Sequence, residues 1–330
     1  MGSPLSNKRF KIQSLSFQGA ADLLQQDVIE GLFTLPRSLP PKYFYDDEGS
    51  KLFDQICNTQ DYYPTRTEAA LLNKYSAEII ELVNPKICTE LGAGTSTKTE
   101  ILLTALCASK ESFVYQSIDV CEEVLVESAN RLLQKYNNLC IESVAGEYIP
   151  AIQVAPKHTE ETLYLFIGSS IGNFSEKDSV ELLSEIANKM DDVDYFLIGM
   201  DRVKDQEILE RAYNDSEGVT AKFNLNVLNV LNSKLGANFS LEKFSHKAIY
   251  NEQQQQIEMY LISLCDQKVN FPALGKKMFL EEGERILTEV SHKYTRSTIN
   301  SLLKKSGLEE VAHFEPSNEY FSLVLVKKLQ

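Results

Sequence analysis

From Glu68 onward the apolar positions switch regularly between a helical and a strand-like spacing. "EAALLNKYSAEIIELV" has apolar residues three and four apart, which predicts a helix. "KICTELGAG" predicts a strand ending in a glycine turn, and "TSTKTEILLTALCAS" a helix that Thr95 or Ser96 could cap. The alternation continues through strand "SFVYQSID", helix "CEEVLVESANRLLQKY", strands "CIESVAGEY" and "TLYLFIGSS", helix "EKDSVELLSEIANKM" and strand "DYFLIGMD". These strands are nearly continuous apolar runs, the mark of a parallel sheet covered on both faces.

Elsewhere the pattern changes. Residues 1–66 are rich in aromatics, proline and charge. Residues 202–293 carry two helical segments, "DQEILERAYND" and "VTAKFNLNVLNVLNSKL", and then strand-like runs. The glutamines of "NEQQQQIEMY" sit between two such runs and predict a solvated hairpin. "GLEEVAHFEPSNEYFSLVLVKK" predicts a final antiparallel hairpin. The simplest architecture is a doubly wound α/β domain, residues 67–201 and 294–330. A second domain is then made from the N-terminal arm, residues 8–66, and an insertion, residues 202–293.

Composition narrows the function classes. The chain has 330 residues, 43% hydrophobic and 24% charged, as in ordinary globular proteins. No apolar run approaches the roughly 20 residues that span a bilayer. "MGSPLSNKRF" lacks the apolar core of a signal peptide, so a cytoplasmic protein without membrane partners is expected. A net charge of -14 repels phosphate backbones and argues against a nucleic-acid partner. The six cysteines form no CxxC pair, and the four histidines lack metal-ligand spacing; reduced thiols and no metal are expected.

The chemistry gathers at strand ends. In an open α/β sheet, ligands bind beyond the carboxyl ends of the strands. "ELGAGTS" follows the first regular strand, and its glycines allow a ligand to approach the backbone. By itself such a turn is common and needs no ligand. It lacks the third glycine of GxGxxG, and no GKS or GKT is present, so phosphate cradling is disfavoured. Asp119 ends the next strand, where an acid accepts ribose hydroxyls or caps the following helix. Glu147 and Tyr148 follow the third strand, where a polar group and an aromatic would hold adenine. Together these describe an adenosine ligand without a pyrophosphate, and S-adenosylmethionine fits better than a dinucleotide. In "FIGSSIGNF", Ser175 can cap the following helix, which frees Asn173 to face the space between cofactor and substrate.

"FYDDEGSKLFDQI", "YYPTRTE", "ELGAGTSTKT", "IGSSIGNF", "DRVKD", "AYND", "FNLNVLNVLN", "IEMYL" and "TEVSHKY" occur in order from about residue 30 to the C-terminus. In these the chain resembles the S-adenosylmethionine-dependent histidine N-alpha-methyltransferases of ergothioneine biosynthesis. The resemblance implies a class I, Rossmann-like methyltransferase fold with a second, substrate-binding domain. It implies three methyl transfers to the alpha-amine of L-histidine, giving hercynine, by a protein expected to act as a monomer. Carried over by motif, Tyr62 borders the imidazole pocket and Tyr45 lies near the alpha-amine. Asn173 and Tyr213 hold the carboxylate, Glu289 and Ser291 face the imidazole, and Phe53 and Met259 shape the wall. Gly92 and Lys98 belong to the cofactor turn and Asp119 is the ribose acid. Glu147 and Tyr148 stand where the family usually shows Asp and Phe.

Transfer from a sulfonium is an in-line displacement, so positioning an unprotonated amine does most of the work. A nearby cation favours the neutral amine. Tyr45 and Asn173 are therefore read as orienting groups. Glu289 suits imidazole because a carboxylate strengthens a hydrogen bond from a ring N–H. Ser291, two residues on, shares its strand face, as do Leu287 and Lys293. Read alone, Glu289 is equally an outward-facing strand glutamate, and the tyrosines are ordinary core aromatics. Two other readings stand beside this one. The first is a same-fold N-methyltransferase for another aromatic amino acid or amine; Glu289 and Ser291 together argue for imidazole. The second is a non-catalytic adenosine-ligand binding protein, which Asp119 and Asn173 argue against.

Overall fold

The computed structural model describes residues 9–15 and 20–329. The N-terminal "MGSPLSNK" lies outside the described residues. The chain divides into two compact units. One holds residues 9–15, 64–202 and 294–329; the other holds residues 20–63 and 203–293.

The first unit is built on an eight-stranded sheet. Edge to edge its strands are Phe10–Ser14, Leu139–Ala145, Phe113–Asp119, Ile87–Leu91, Thr162–Phe166, Tyr195–Asp201, Phe321–Lys328 and Leu308–Phe314. Only Phe321–Lys328 runs against its neighbours. The chain steps outward from Ile87–Leu91 through two strands, then returns to add Thr162–Phe166 on the other side. This reversal is the topological switch point of a doubly wound sheet, and with the reversed strand near one edge it is the class I methyltransferase arrangement. Helices lie in the crossovers: Tyr63–Val83, Thr99–Ser109, Glu122–Lys135, Tyr148–Val154 and Glu176–Lys189. Leu72, Leu103, Phe113 and Leu197 pack in one fully buried cluster, and Ile118, Phe166, Leu183 and Ile198 in another. Two apolar clusters are what a sheet whose strands are buried on both faces requires.

Several details depart from the sequence reading. The sequence pattern places residues 8–66 in the second domain, yet Phe10–Ser14 adds a parallel edge strand to the large sheet, with Phe10 opposite Ile141. The first long helix starts at Tyr63, ahead of Glu68, because Pro64 falls in its first turn, where a missing N–H costs nothing. Neither Thr95 nor Ser96 caps the next helix, which begins at Thr99. Ser96 has φ +54°, and its hydroxyl is engaged with Tyr115 at 2.9 Å and Ser128 at 2.9 Å. The third strand ends at Ala145, and Tyr148 opens a short helix.

The second unit has a four-stranded sheet in the order Arg37–Ser38, Arg285–His292, Gln256–Ser263, Phe244–Asn251. The glutamine segment is the exposed turn of its Phe244–Ser263 hairpin. Helices Ala20–Leu32, Asp47–Asn58, Gln206–Tyr213 and Val219–Leu235 belong to the same unit. Asp46 caps Asp47–Asn58 by accepting from Gly49 N at 2.8 Å. Gly49 is required there, since a Cβ would lie 1.6 Å from the Phe44 carbonyl oxygen. Asn226 donates to the same Asp46 oxygen at 2.8 Å, which ties Val219–Leu235 to the "FYDDEG" turn.

Candidate active site

In the first unit, four segments leave the carboxyl ends of neighbouring parallel strands: Gly92–Lys98, Asp119–Cys121, Gly146–Tyr148 and Gly168–Asn173. Their backbones are knitted together. Gly92 N and Ala93 N donate to the Ile118 carbonyl at 2.8 and 3.0 Å, and Gly146 N donates to the Asp119 carbonyl at 2.8 Å. Gly92 has φ +69°, and a Cβ there would lie 2.9 Å from Tyr148 Oη. The Tyr148 ring is held edge-on against Phe166, centroids 5.4 Å apart. Gly94 has φ +48° and a Cβ on it would meet nothing within 4 Å, so the turn's backbone is open on that side.

Asp119 serves the turn first. Its Oδ2 accepts from Gly94 N at 2.8 Å and its Oδ1 from Cys121 N at 3.0 Å. Burial raises its carboxyl above the usual range, and the N–H groups of Cys121 and Gly94 pull it back. Each oxygen keeps lone-pair capacity for a ribose hydroxyl. Ser175 is the residue that caps Glu176–Lys189, accepting from Asp178 N at 3.2 Å, so Asn173 is not needed as a cap. Glu147 sits at the N-cap position of Tyr148–Val154 without a side-chain capping bond.

Lys98 has a partner that the sequence reading missed. Its Nζ lies 2.6 Å from Glu68, which is 0% exposed, and Glu68 also accepts from Gly168 N at 2.8 and 2.9 Å. A second overlooked acid, Glu90, lies in the strand before the glycine turn, 1% exposed. It accepts from Thr99 Oγ1 at 2.5 Å and from the Tyr115 hydroxyl. Burial pushes its carboxyl up to about 7, against the pull of those two hydrogen bonds and Lys98. The signal for Glu90 is a lone acid inside an otherwise mostly apolar strand; Glu68 lies among other charged residues of its helix and carries no such signal.

In the second unit, the aromatic candidates Tyr45, Phe53, Tyr62 and Tyr213 form one wall. Ring centroids are 5.7 Å apart for Tyr45 and Phe53, 6.4 Å for Phe53 and Tyr62, and 6.0 Å for Tyr62 and Tyr213. Phe223, also missed, completes the wall at 5.7 Å from Tyr45 and 6.0 Å from Phe53. Its place in "FNLNVLN", on the helix that follows "AYND", was the available cue. Burial first, then Tyr213, Cys57, Glu289 and Tyr45, hold the Tyr62 phenol far above its ordinary value. Glu289 is opposite Met259 in the strand register, and Met259 is fully buried. Burial pushes the Glu289 carboxyl up to about 7, and Lys293 pulls it down. The Tyr213 hydroxyl and Ser291 Oγ are 2.9 Å apart.

Leu287 does not share the Glu289 face. A bulge at Thr288 slips the register, so that Leu287 opposes Tyr260 while Glu289 opposes Met259. The Thr288 hydroxyl donates to the Met259 carbonyl at 3.0 Å and holds the bulge. Without it the alternation would place Glu289 and Leu287 together.

The family described as "Histidine-specific methyltransferase, SAM-dependent" matches residues 24–328. The chain belongs to this family. It is 40% identical over 296 residues to a histidine N-alpha-methyltransferase of Mycolicibacterium smegmatis, covering 90% of this chain and 92% of that one. It is 28% identical over 299 residues to ergothioneine biosynthesis protein 1 of Neurospora crassa, covering 88% of this chain but 33% of that protein. An L-tryptophan methyltransferase of Psilocybe serbica is 26% identical over 334 residues, covering 90% and 92% of the two chains. This is a methyltransferase whose cofactor is S-adenosylmethionine, and the open Gly94 turn, Asp119 and Tyr148 suit an adenosine ligand. Among the described residues no helix is long and apolar enough to cross a membrane.

Proposed function

We propose that the protein methylates the alpha-amine of L-histidine in three steps to hercynine, as part of ergothioneine biosynthesis. The observation that carries this reading is the pairing of Glu289 and Ser291 on one strand face beside the Tyr62–Tyr213 wall. A carboxylate and a hydroxyl set in an aromatic recess suit a ring that is flat, apolar in its faces and polar at its edge. Membership in a histidine-specific family supports the same substrate.

S-Adenosylmethionine supplies a methyl group on a sulfonium, ready for in-line displacement. Asp119 would hold its ribose, Glu147 and Tyr148 its adenine, and Gly92 and Lys98 the turn around it. The second unit is read as the substrate-binding part. Tyr62, Phe53 and Met259 would wall the imidazole, and Glu289 would accept its N–H. Asn173 and Tyr213 would hold the carboxylate, and Tyr45 and Asn173 would orient the neutral amine. No strong base is needed, because the amine titrates within a few units of neutrality, a nearby cation favours its neutral form, and the work is positioning.

The second reading, methylation of another aromatic amino acid, is favoured by the likeness to the tryptophan enzyme. Mass spectrometry of a reaction with S-adenosylmethionine and the common amino acids decides between them. Successive methyl additions to histidine alone are expected; methylation of tryptophan in preference would overturn the histidine reading. A thermal shift with S-adenosylhomocysteine, enlarged by histidine, is expected in parallel. A binding protein without activity would give the first shift and no methylated product.

A further inference from the structure

Lys293 is an unusual lysine. It directly follows the strand Arg285–His292, which carries Glu289 and Ser291, and it is 2% exposed. Its Nζ lies 2.9 Å from the Tyr213 hydroxyl and 2.8 Å from Ser291 Oγ, and 4.8 Å from the centre of the Tyr213 ring. The two hydroxyl oxygens are themselves 2.9 Å apart. The three polar atoms therefore form a closed triangle. A buried ammonium is costly unless it is well hydrogen-bonded, so this triangle is a built feature of the fold.

We propose that Lys293 is a positioning residue that fixes the direction of a hydroxyl proton beside Glu289 and so selects a ring with both a bare nitrogen and an N–H. The proposal rests on the histidine reading above. An ammonium has only donors, so it fills acceptor positions on both oxygens and can accept from neither. Only one hydroxyl proton can lie on the line between Tyr213 and Ser291. The phenol is the more acidic of the two, so Tyr213 donates to Ser291. The Ser291 proton then has no acceptor within the triangle and points out of it. Glu289, two residues away on the same face, is the acceptor that stands beside this donor. Neutral imidazole offers one N–H and one bare nitrogen, the complement of that pair.

The test measures binding of histidine and of pyrrolylalanine, whose ring has an N–H and no bare nitrogen, with S-adenosylhomocysteine present. The parent is expected to prefer histidine by at least tenfold. Lys293→Met removes the ammonium and is expected to lose most of that preference while its affinity for S-adenosylhomocysteine stays within about twofold. Lys293→Gln keeps N–H donors but adds an acceptor, and is expected to lose the preference as well. Lys293→Arg, again a pure donor, is expected to retain it, which a role in packing alone does not require. If Lys293→Met does not fold, the Gln and Arg variants decide on the same readout. A folded Gln or Met variant with the parent's preference overturns the proposal and leaves the functional reading intact. A parent that binds neither histidine nor its analogue overturns both.

Discussion

Glu68 receives both the Lys98 ammonium, at 2.6 Å, and the Gly168 backbone N–H, at 2.8 Å, while wholly shielded from solvent. One carboxylate thus joins the glycine turn to the loop that carries Asn173. Glu68→Ala leaves the ammonium and the N–H without that partner. Breaking a buried pair costs about 3–5 kcal/mol. Urea unfolding of Glu68→Ala is expected to show a loss of that order, and Glu68→Gln a smaller one because it can still accept from Gly168. A change below about 1 kcal/mol in the alanine variant would mean the contact is incidental.

Asp119 is proposed to couple the same turn to the cofactor. Its oxygens accept from Gly94 N and Cys121 N, with lone pairs remaining for a ribose. Hydrogen bonds to a charged acceptor contribute about 1.5–3 kcal/mol each. Asp119→Asn, which preserves one backbone contact, is expected to bind S-adenosylhomocysteine at least tenfold more weakly. Calorimetry finding near-parental affinity in the folded variant would remove Asp119 from the cofactor site.

Glu90 predicts a pH signature. Its carboxyl stands at about 7 in the folded protein against an ordinary 4.5, because burial opposes its charge. The raised value favours the folded state while the group is protonated. That contribution is fully present below 4.5 and is lost as pH rises through about 7. Relative to Glu90→Gln, the parent is expected to lose about 2–3 kcal/mol between pH 5 and pH 8. Unfolding curves for both proteins at the two pH values test this, and a difference independent of pH contradicts it.

The alternation of apolar strands and helices between residues 68 and 201 was legible because both faces of each strand are buried, which leaves long apolar runs. The gathering of Gly92, Asp119 and Asn173 beyond the carboxyl ends of the strands followed too, since those strands are parallel. Other features were not legible. The edge strand Phe10–Ser14 is short and half-exposed, so its five residues carry little periodicity. The Thr288 bulge shifts the face of Leu287 through a backbone register that no residue pattern announces. Glu68 and Lys98 stand 30 residues apart, and only the folded chain makes them neighbours. Lys293 was visible on the right face, but its triangle with Tyr213 depends on a contact 80 residues distant.

Glu289 is the residue on which the proposed substrate identity turns. The bulge at Thr288 turns it onto the Met259 face, where burial and Lys293 compete over its charge. If its carboxylate accepts an imidazole N–H, Glu289→Ala removes a hydrogen bond to a charged group, about 1.5–3 kcal/mol. Histidine affinity, measured with S-adenosylhomocysteine bound, is expected to fall by roughly ten- to a hundredfold. Phenylalanine and tryptophan offer the carboxylate nothing comparable, and in the parent they leave it buried without a partner, which carries a desolvation cost. Their binding is expected to change little or to improve in the variant. The preference for histidine over apolar aromatics therefore collapses from both sides. A variant that keeps the parental preference would make Glu289 a bystander, and the tryptophan-like alternative would then be judged on the aromatic wall alone.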